Sequence, residues 1–352
     1  MTSKQNTNKF ARSRKKPTIR DVASHAGVSL KTVSRVLNQE PHVRPAMAER
    51  VNLAAKEIGF TRSAIARKLS IGRSQNLGIV MLDLPHWNWY SDVIIGVQHE
   101  CHNRGYTVSI HPMGSLDEAD LTSLHEVIDS GSVDGLVLTH PWSSDIEFQE
   151  KLTLWGVNFV CMLTEGEKSL SPCVVDRDAA GSRVLTRYLL DLGHRHFAIA
   201  TGMPNHAAVS SRLRGVLEVL DSAPVEVSYV TFHNEIVSFE YGYRIAPEIM
   251  SQDPRPTAVI AGSDMMAAGI LRYAHEAGIE VPAEFSVVGY GDVEIAHYVW
   301  PALTTMRQKT DAMAAKAAET LIALCENRKD YEDRVYFESE LVVRGSSGPV
   351  SD

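Results

Sequence analysis

The spacing of apolar residues changes once along the chain, near residue 73. Before that point it is helical. Ile19, Val22 and Ala23 share one face of a short segment that Thr18 is placed to cap, and Asp21 suits the positive end of its dipole. Gly27 supplies a turn. Ser29 then caps a second short helix from Leu30 to Leu37, with Val33, Val36 and Leu37 turned inward and Leu30, Lys31, Ser34 and Arg35 turned outward. A loop from Asn38 to Arg44 leads to a third helix that opens on Pro45 and ends near Ile58, before Gly59. Two short helices joined by a tight glycine turn predict a helix-turn-helix, whose second helix enters the major groove of DNA. The stretch SAIARKLS that follows is apolar and basic together, and at about eight residues it is too short to hold a helix unaided in water.

After Gly72 the spacing becomes strand-like. Apolar runs recur with helix-length segments between them: LGIVMLDL from Leu77, TVSIH from Thr107, GLVLTH from Gly135, NFVCML from Asn158, HFAIATG from His196, VEVSYV from Val225, TAVIAG from Thr257 and FSVVGYG from Phe285. Continuous apolar strands with helical spacers predict parallel sheets covered on both faces. Eight units exceed one compact open sheet, so the α/β body is expected to hold two doubly wound subdomains. Ligands of such folds bind outside the carboxyl ends of the strands.

Charge separates the same two regions. Residues 1–73 carry 16 Lys and Arg against 4 Asp and Glu, a balance of +12, whereas the remainder carries 19 against 39. A basic head on an acidic body points to a polyanion as the partner of the head alone. Residues 1–16 hold no acidic residue and few apolar ones, the composition of a disordered basic tail. The four cysteines have no metal-ligand spacing and read as reduced, buried thiols of a cytoplasmic protein. No apolar run reaches the ~18 residues needed to span a bilayer, and the polar N-terminus has no secretory signal. Partners in a membrane are not expected.

TIRDVASHAGVSLKTVSRVLN, EIGF and SAIARKLS, followed by DLGHRHFAIATG, SRLRG, SDMMAAG, FSVVGYGD and PALTTM, resemble the LacI/GalR family of bacterial transcription regulators over nearly the whole chain. The resemblance implies a tail (1–16), a helix-turn-helix domain (17–62), a hinge helix (63–72) and an effector-binding and dimerisation domain (73–352) of the periplasmic-binding-protein type. Its first subdomain would span about 76–175 and 305–345, its second about 176–304, and residues 346–352 would be a loose end. On the same resemblance Leu30, Lys31 and Arg35 read bases, and Arg35 suits a bidentate contact to guanine. Ser29, Thr32 and Asn38 contact phosphates. Ala66 to Leu69 pairs with a second subunit over the minor groove, where Leu69 wedges between base steps. The implied protein is a repressor: a homodimer on a pseudo-palindromic double-stranded operator, switched by a carbohydrate-like effector, with no cofactor.

Polar and aromatic residues gather after the expected strands, where a cleft would lie: Asp83, Trp87, Trp89 and Tyr90 after the first, His140 and Trp142 after the third, then Arg212, Asp264 and Asp292 further on. Aromatic faces cover the C–H faces of sugar rings, and Arg and Asp fix hydroxyls or a carboxylate. The family's effector arginine falls on Arg212 and its aromatic pair on Trp89 and Tyr90. Two positions depart from the family. Gly291, followed by Asp292, stands where an aspartate is usual, and Ser263 stands where some sugar-binding members have asparagine. A lost carboxylate beside a kept arginine raises the expectation of an anionic effector, a sugar acid or sugar phosphate, alongside a neutral sugar. An enzyme is not expected, because no dinucleotide, phosphate-loop or nucleophile-elbow motif is present and His194 and His196 lack zinc-pair spacing. The competing reading is a solute-binding or sensor protein with no role on DNA.

Overall fold

The computed structural model describes residues 17–37, 43–60, 73–83, 88–114, 118–202, 206–234 and 237–350. They belong to two compact units that divide between Arg73 and Ser74.

The first unit contains helices α1 (Ile19–Ala26), α2 (Leu30–Leu37) and α3 (Pro45–Glu57). Val22, Val33 and Val51 are sealed at its centre, with Ala23, Ala26, Ala54 and Ala55 around them, so three small helix faces meet closely. The Thr18 backbone N and hydroxyl both donate to Asp21, at 2.6 and 2.7 Å. Gly27 ends α1 at φ 60°, and a Cβ there would lie 2.7 Å from the Arg50 guanidinium, which donates to the Gly27 carbonyl. His25 and Glu57, 2.8 Å apart, tie α1 to α3.

The second unit holds two six-stranded sheets. The first runs β2-β1-β3-β4-β5-β11, built from β1 (Asn76–Leu82), β2 (Thr107–Met113), β3 (Gly135–Leu138), β4 (Asn158–Thr164), β5 (Cys173–Asp176) and β11 (Arg334–Phe337), all parallel. The second comprises β6 (His196–Thr201), β7 (Ser228–His233), β8 (Ala258–Ala261), β9 (Ser286–Gly291), β10 (Thr304–Arg307) and β12 (Glu340–Val342). Its order is β7-β6-β8-β9-β10-β12, with only β12 antiparallel. Both sheets therefore share the doubly wound order in which the chain reverses direction after its second strand, opening a crevice at the carboxyl ends.

Side chains alternate across each strand and both faces are covered, which is why these strands read as unbroken apolar runs. In the first sheet Val160 and Met162 face α4 (Asn88–Asn103) and α12 (Thr310–Cys325), while Phe159, Cys161 and Leu163 face α5 (Glu118–Asp129) and α6 (Ile146–Leu154). In the second, Ala198 and Ala200 face α9 (Phe239–Met250) and α10 (Asp264–Glu276), and Phe197 and Ile199 face α7 (Asp178–Asp191) and α8 (Ala207–Asp221). A short α11 (Ile295–Tyr298) follows β9. All four cysteines are buried thiols outside any disulfide. Among the described residues no helix is long and apolar enough to cross a membrane.

The C-terminal part differs from expectation. Residues 305–345 do not simply rejoin the first subdomain: β10 stays in the second sheet, α12 and β11 join the first, and β12 returns to the second. The segment ELVVRG thus supplies a strand to the second sheet, because Thr305 to Arg307 offer it an open antiparallel edge. Residues 346–350 are not a loose end. Ser346 is fully buried, accepting from Thr304 N and donating to the Val287 carbonyl, and the Gly348 carbonyl meets His194.

Candidate functional site: a recognition helix and a cleft

In the first unit α2 exposes Leu30 and Lys31, with Thr32, Ser34 and Arg35 half-buried beside them. Ser29 Oγ accepts from Thr32 N at 3.1 Å, and the two hydroxyls lie 2.9 Å apart, so both are already engaged in capping. Val33 and Val36 anchor the opposite face. The amphipathic division expected for a recognition helix is therefore present. Asn38, Ala66 and Leu69 fall outside the described residues, as does Trp87.

In the second unit a cavity of about 610 Å³ opens at the carboxyl ends of both sheets. Trp89 and Tyr90 on α4 and His140 after β3 line it from the first subdomain; His206, Arg212, Asp264 and Gly291 line it from the second. Arg212 is its electrostatic centre. Its Nε donates to Asp178 at 2.7 Å, Nη1 to the Gly262 carbonyl at 3.0 Å and Nη2 to Gln308 at 3.2 Å, while its charge sits 4.0 Å over the Tyr290 ring. The side chains of Arg212 and Asp178 are 18% and 2% exposed. Burial opposes the Arg212 charge, and Asp178 with its neighbours outweighs that and raises its pKa. The second Asp178 oxygen accepts from the Thr164 hydroxyl, and Gln308 donates onward to Asp176 at 2.6 Å. Burial, reinforced by Asp178, pushes the Asp176 carboxyl well above the usual range. Glu167 is raised by burial as well.

One cation therefore stands among several carboxylates. An anion approaching Arg212 meets a guanidinium that Asp178 already neutralises, so the lost aspartate at position 291 does not leave the cleft electropositive. The network lies at the crossovers: Asp176 ends β5, Asp178 begins α7, Gln308 follows β10, and Ser339 between β11 and β12 reaches Tyr290 at 3.3 Å.

Of three expected pocket carboxylates, two lie elsewhere and the third lines the cavity in a structural role. Asp83 is exposed and is not among the residues lining the cavity. Asp264 does line it, but both oxygens serve the fold: one accepts from the Thr305 hydroxyl and the other from Val293 N at 2.8 Å, with burial pushing its pKa up to about 6. Asp292 turns away from the cavity, and its carboxylate binds Arg307 at 2.7 Å and Arg344 at 2.6 Å. Asp292 has φ 58° after Gly291 at φ 130°, so the backbone twist that glycine permits carries the following carboxylate out of the cleft. Ser263 caps α10, accepting from Met266 N at 3.3 Å. Trp142 packs in the core against Phe148. His194 is a satisfied core histidine between Thr257 and the Gly348 carbonyl, and His196 pairs with Ser228.

The sequence reading missed Asp176, Asp178, His206, Tyr290 and Gln308. VVDRD, two acids directly after an apolar run, was the available signal, but its strand is only four residues long. His206 stacks on His140 across the cleft, with ring centroids 3.7 Å apart.

Residues 18–63 match the model of bacterial regulatory proteins of the lacI family, and residues 186–347 that of a periplasmic binding protein-like domain. The chain is 32% identical over 337 residues to the HTH-type transcriptional repressor PurR of Vibrio atlanticus (strain LGP32), covering 94% of this chain and 98% of that one. PurR of Salmonella paratyphi B (strain ATCC BAA-1250 / SPB7) is 30% identical, with 95% and 98% covered. Two solved structures are similar as well. A lac repressor dimer bound to operator and the anti-inducer ONPF superposes with a TM-score of 0.79 at 25% identity, covering 95% of this chain and 100% of that one. A complex of the transcriptional regulator CelR with cellobiose gives 0.68 at 28% identity, covering 94% and 100%.

Proposed function

The chain belongs to the lacI family of bacterial regulatory proteins and is a DNA-binding transcriptional regulator with a small-molecule effector domain, not an enzyme; on that footing we propose that it is a homodimeric cytoplasmic repressor answering to a neutral, hydroxyl-rich ligand. Two copies present two α2 helices to a pseudo-palindromic operator about one helical turn between half-sites. Leu30, Lys31 and Arg35 read bases; Ser29, Thr32 and Asn38 hold phosphates. Ala66 to Leu69 folds as a helix only when paired with its counterpart over the minor groove, and the cleft controls whether the two can meet.

The observation that carries the effector class is the pairing of Arg212 with Asp178. A cleft with one compensated cation and surplus carboxylate oxygens favours a ligand that donates hydrogen bonds, and a neutral sugar does so. Trp89 and Tyr90 add flat faces for its C–H surface. The CelR relative was solved with cellobiose, a neutral disaccharide. A sugar acid or sugar phosphate would have to draw Arg212 away from Asp178 and leave that carboxylate buried without its cation.

A thermal-shift screen over neutral sugars, sugar acids and sugar phosphates tests this. A ligand at a hundred times its Kd stabilises by about 2.7 kcal/mol, which in a domain of this size raises Tm by roughly 5–10 °C or less. Neutral sugars are expected to produce the shift. Shifts with the acids or phosphates alone overturn the reading.

A further inference from the structure

Where the two subdomains face each other, two imidazoles meet ring to ring. His140 follows β3 of the first subdomain and His206 precedes α8 of the second; their centroids are 3.7 Å apart and their planes 39° apart. Both line the cleft. His140 Nδ1 lies 3.0 Å from the Ser144 hydroxyl, and the Tyr90 hydroxyl donates to the His140 carbonyl at 3.4 Å. His206 Nδ1 is buried with no hydrogen-bond partner among the described residues. A neutral pair tolerates this arrangement. A protonated pair does not, because two like charges would face each other at contact distance in a half-dry cleft.

We propose that the stacked His140–His206 pair is a proton-sensitive latch between the subdomains, closed when both rings are neutral and released when they are protonated. The inference goes beyond the effector reading and holds for the chain without ligand.

The surrounding charges favour release. Arg212, on α8, adds a cation facing His206. From the first subdomain Glu167 is the acid on the same side, and it bonds Ser144 and Thr164 N, not either ring. Tyr90 on α4, Asp176 on β5, Asp178 on α7, Asp264 on α10 and Tyr290 on β9 are the other titratable groups lining the cleft among the described residues; Asp178 is committed to Arg212 and Thr164. Burial holds His140 down to about 4, and burial with His140 and Arg212 holds His206 down to about 3.

The sign follows from those directions. In the closed form both rings favour the neutral state; opened to water they regain an ordinary value near ~6.5. The closed form is therefore fully favoured above about pH 6.5 and loses ground as pH falls through that value toward 4. At pH 5.5 each exposed imidazole is protonated about ten to one. Together they raise the open-to-closed ratio about 100-fold over pH 7.5. Asp176, Glu167 and Asp264, raised by burial, respond in the opposite sense, so the test compares proteins that keep all three.

Leu154 in the first subdomain and Val225 in the second are exposed, and the native cysteines are buried. Spin labels on Leu154→Cys and Val225→Cys in the full chain, diluted into unlabelled chain, report the distance across the body by pulsed dipolar spectroscopy. The expected result is growth of a longer-distance population from pH 7.5 to 5.5. In the same background His140→Phe with His206→Phe keeps two stacked rings that take no proton, and with only the raised carboxyls left to respond its longer-distance population is expected not to grow from pH 7.5 to 5.5. His206→Phe alone should leave about a tenth of the parent's change in the open-to-closed ratio, which provides the comparison if the double replacement fails to fold. An unchanged distribution in the parent, or an undiminished response in the phenylalanine variants, overturns the latch.

Discussion

Taking the guanidinium from Arg212 strands Asp178, whose side chain is 2% exposed and would keep, among the described residues, the Thr164 hydroxyl as its side-chain partner. Arg212→Met is therefore expected to lower stability by about 3–5 kcal/mol, the cost of an uncompensated buried charge, read as a fall in the urea midpoint with the slope unchanged. A loss under 1 kcal/mol would mean that Asp178 is held by something other than Arg212. On the head, Arg35→Ala is expected to weaken operator binding about 5- to 150-fold, the equivalent of 1–3 kcal/mol for one good base contact, and to relax selectivity at one base pair. A gel-shift series over single-base operator variants checks both; uniform weakening across all sequences would make Arg35 a phosphate contact instead. Arg212 is legible in the sequence because the SRLRG segment opening a helix beside the expected cleft resembles the family's effector-arginine pattern. Its partner Asp178 is not, since pairing across 34 positions leaves no local trace. Asp292 shows the converse: an acid directly after a glycine at a strand end looks like a pocket residue, and only the backbone angle reveals that it faces Arg307 and Arg344.

Strands were legible where their segments form unbroken or alternating apolar runs, and burial alone did not decide it. β1, β4 and β6 are six or seven residues long and sealed on both faces, so each appears as a run of apolar residues. β5, β10 and β11 have four residues each. In β10 Thr304 and Thr305 are fully buried, their hydroxyls satisfied by Arg344 and Asp264, so its polar composition hides its position. The three head helices were legible for another reason: Thr18, Gly27, Ser29 and Pro45 mark starts and stops chemically. Helix packing has its own signature in Gly96 of α4, where a Cβ would stand 2.1 Å from the Asp311 carbonyl oxygen and 2.9 Å from Ala314. Gly96→Ala must part α4 from α12, which is backbone moving against backbone. The expected loss is about 1–3 kcal/mol despite the gain in helix propensity, measurable in urea. A more stable variant would show that the two helices have room to slide.

At the scale of the molecule the chain passes between the two sheets three times, after β5, after β10 and after β11. Asp176, Asp178, Gln308 and Ser339 sit at those passages and are joined through Arg212 and Tyr290. Such interleaving ties the folding of one subdomain to the other. Residues 74–352 are expected to unfold in one transition, with near- and far-ultraviolet circular dichroism superimposing; two separated midpoints would show that the crossovers couple the halves only weakly. The eight apolar runs announced two sheets, but nothing local to ELVVRG distinguished which sheet would receive it. That choice is made by an open strand edge some 35 residues earlier in the chain.

The same interleaving sets a timetable for synthesis. The first sheet waits for β11 and the second for β12 and for Ser346. At a ribosomal rate of about 5–20 residues per second, the strands up to β5 exist for roughly 10 to 30 s before their last neighbour has been made. The three-helix unit at the other end has its described core within residues 19–60 and can fold early. During translation each nascent chain thus displays a finished DNA-reading head with no finished body behind it. Under the proposed homodimeric action its restraint in that interval is that it has no twin: a single nascent chain carries one α2 where the proposed operator asks for two.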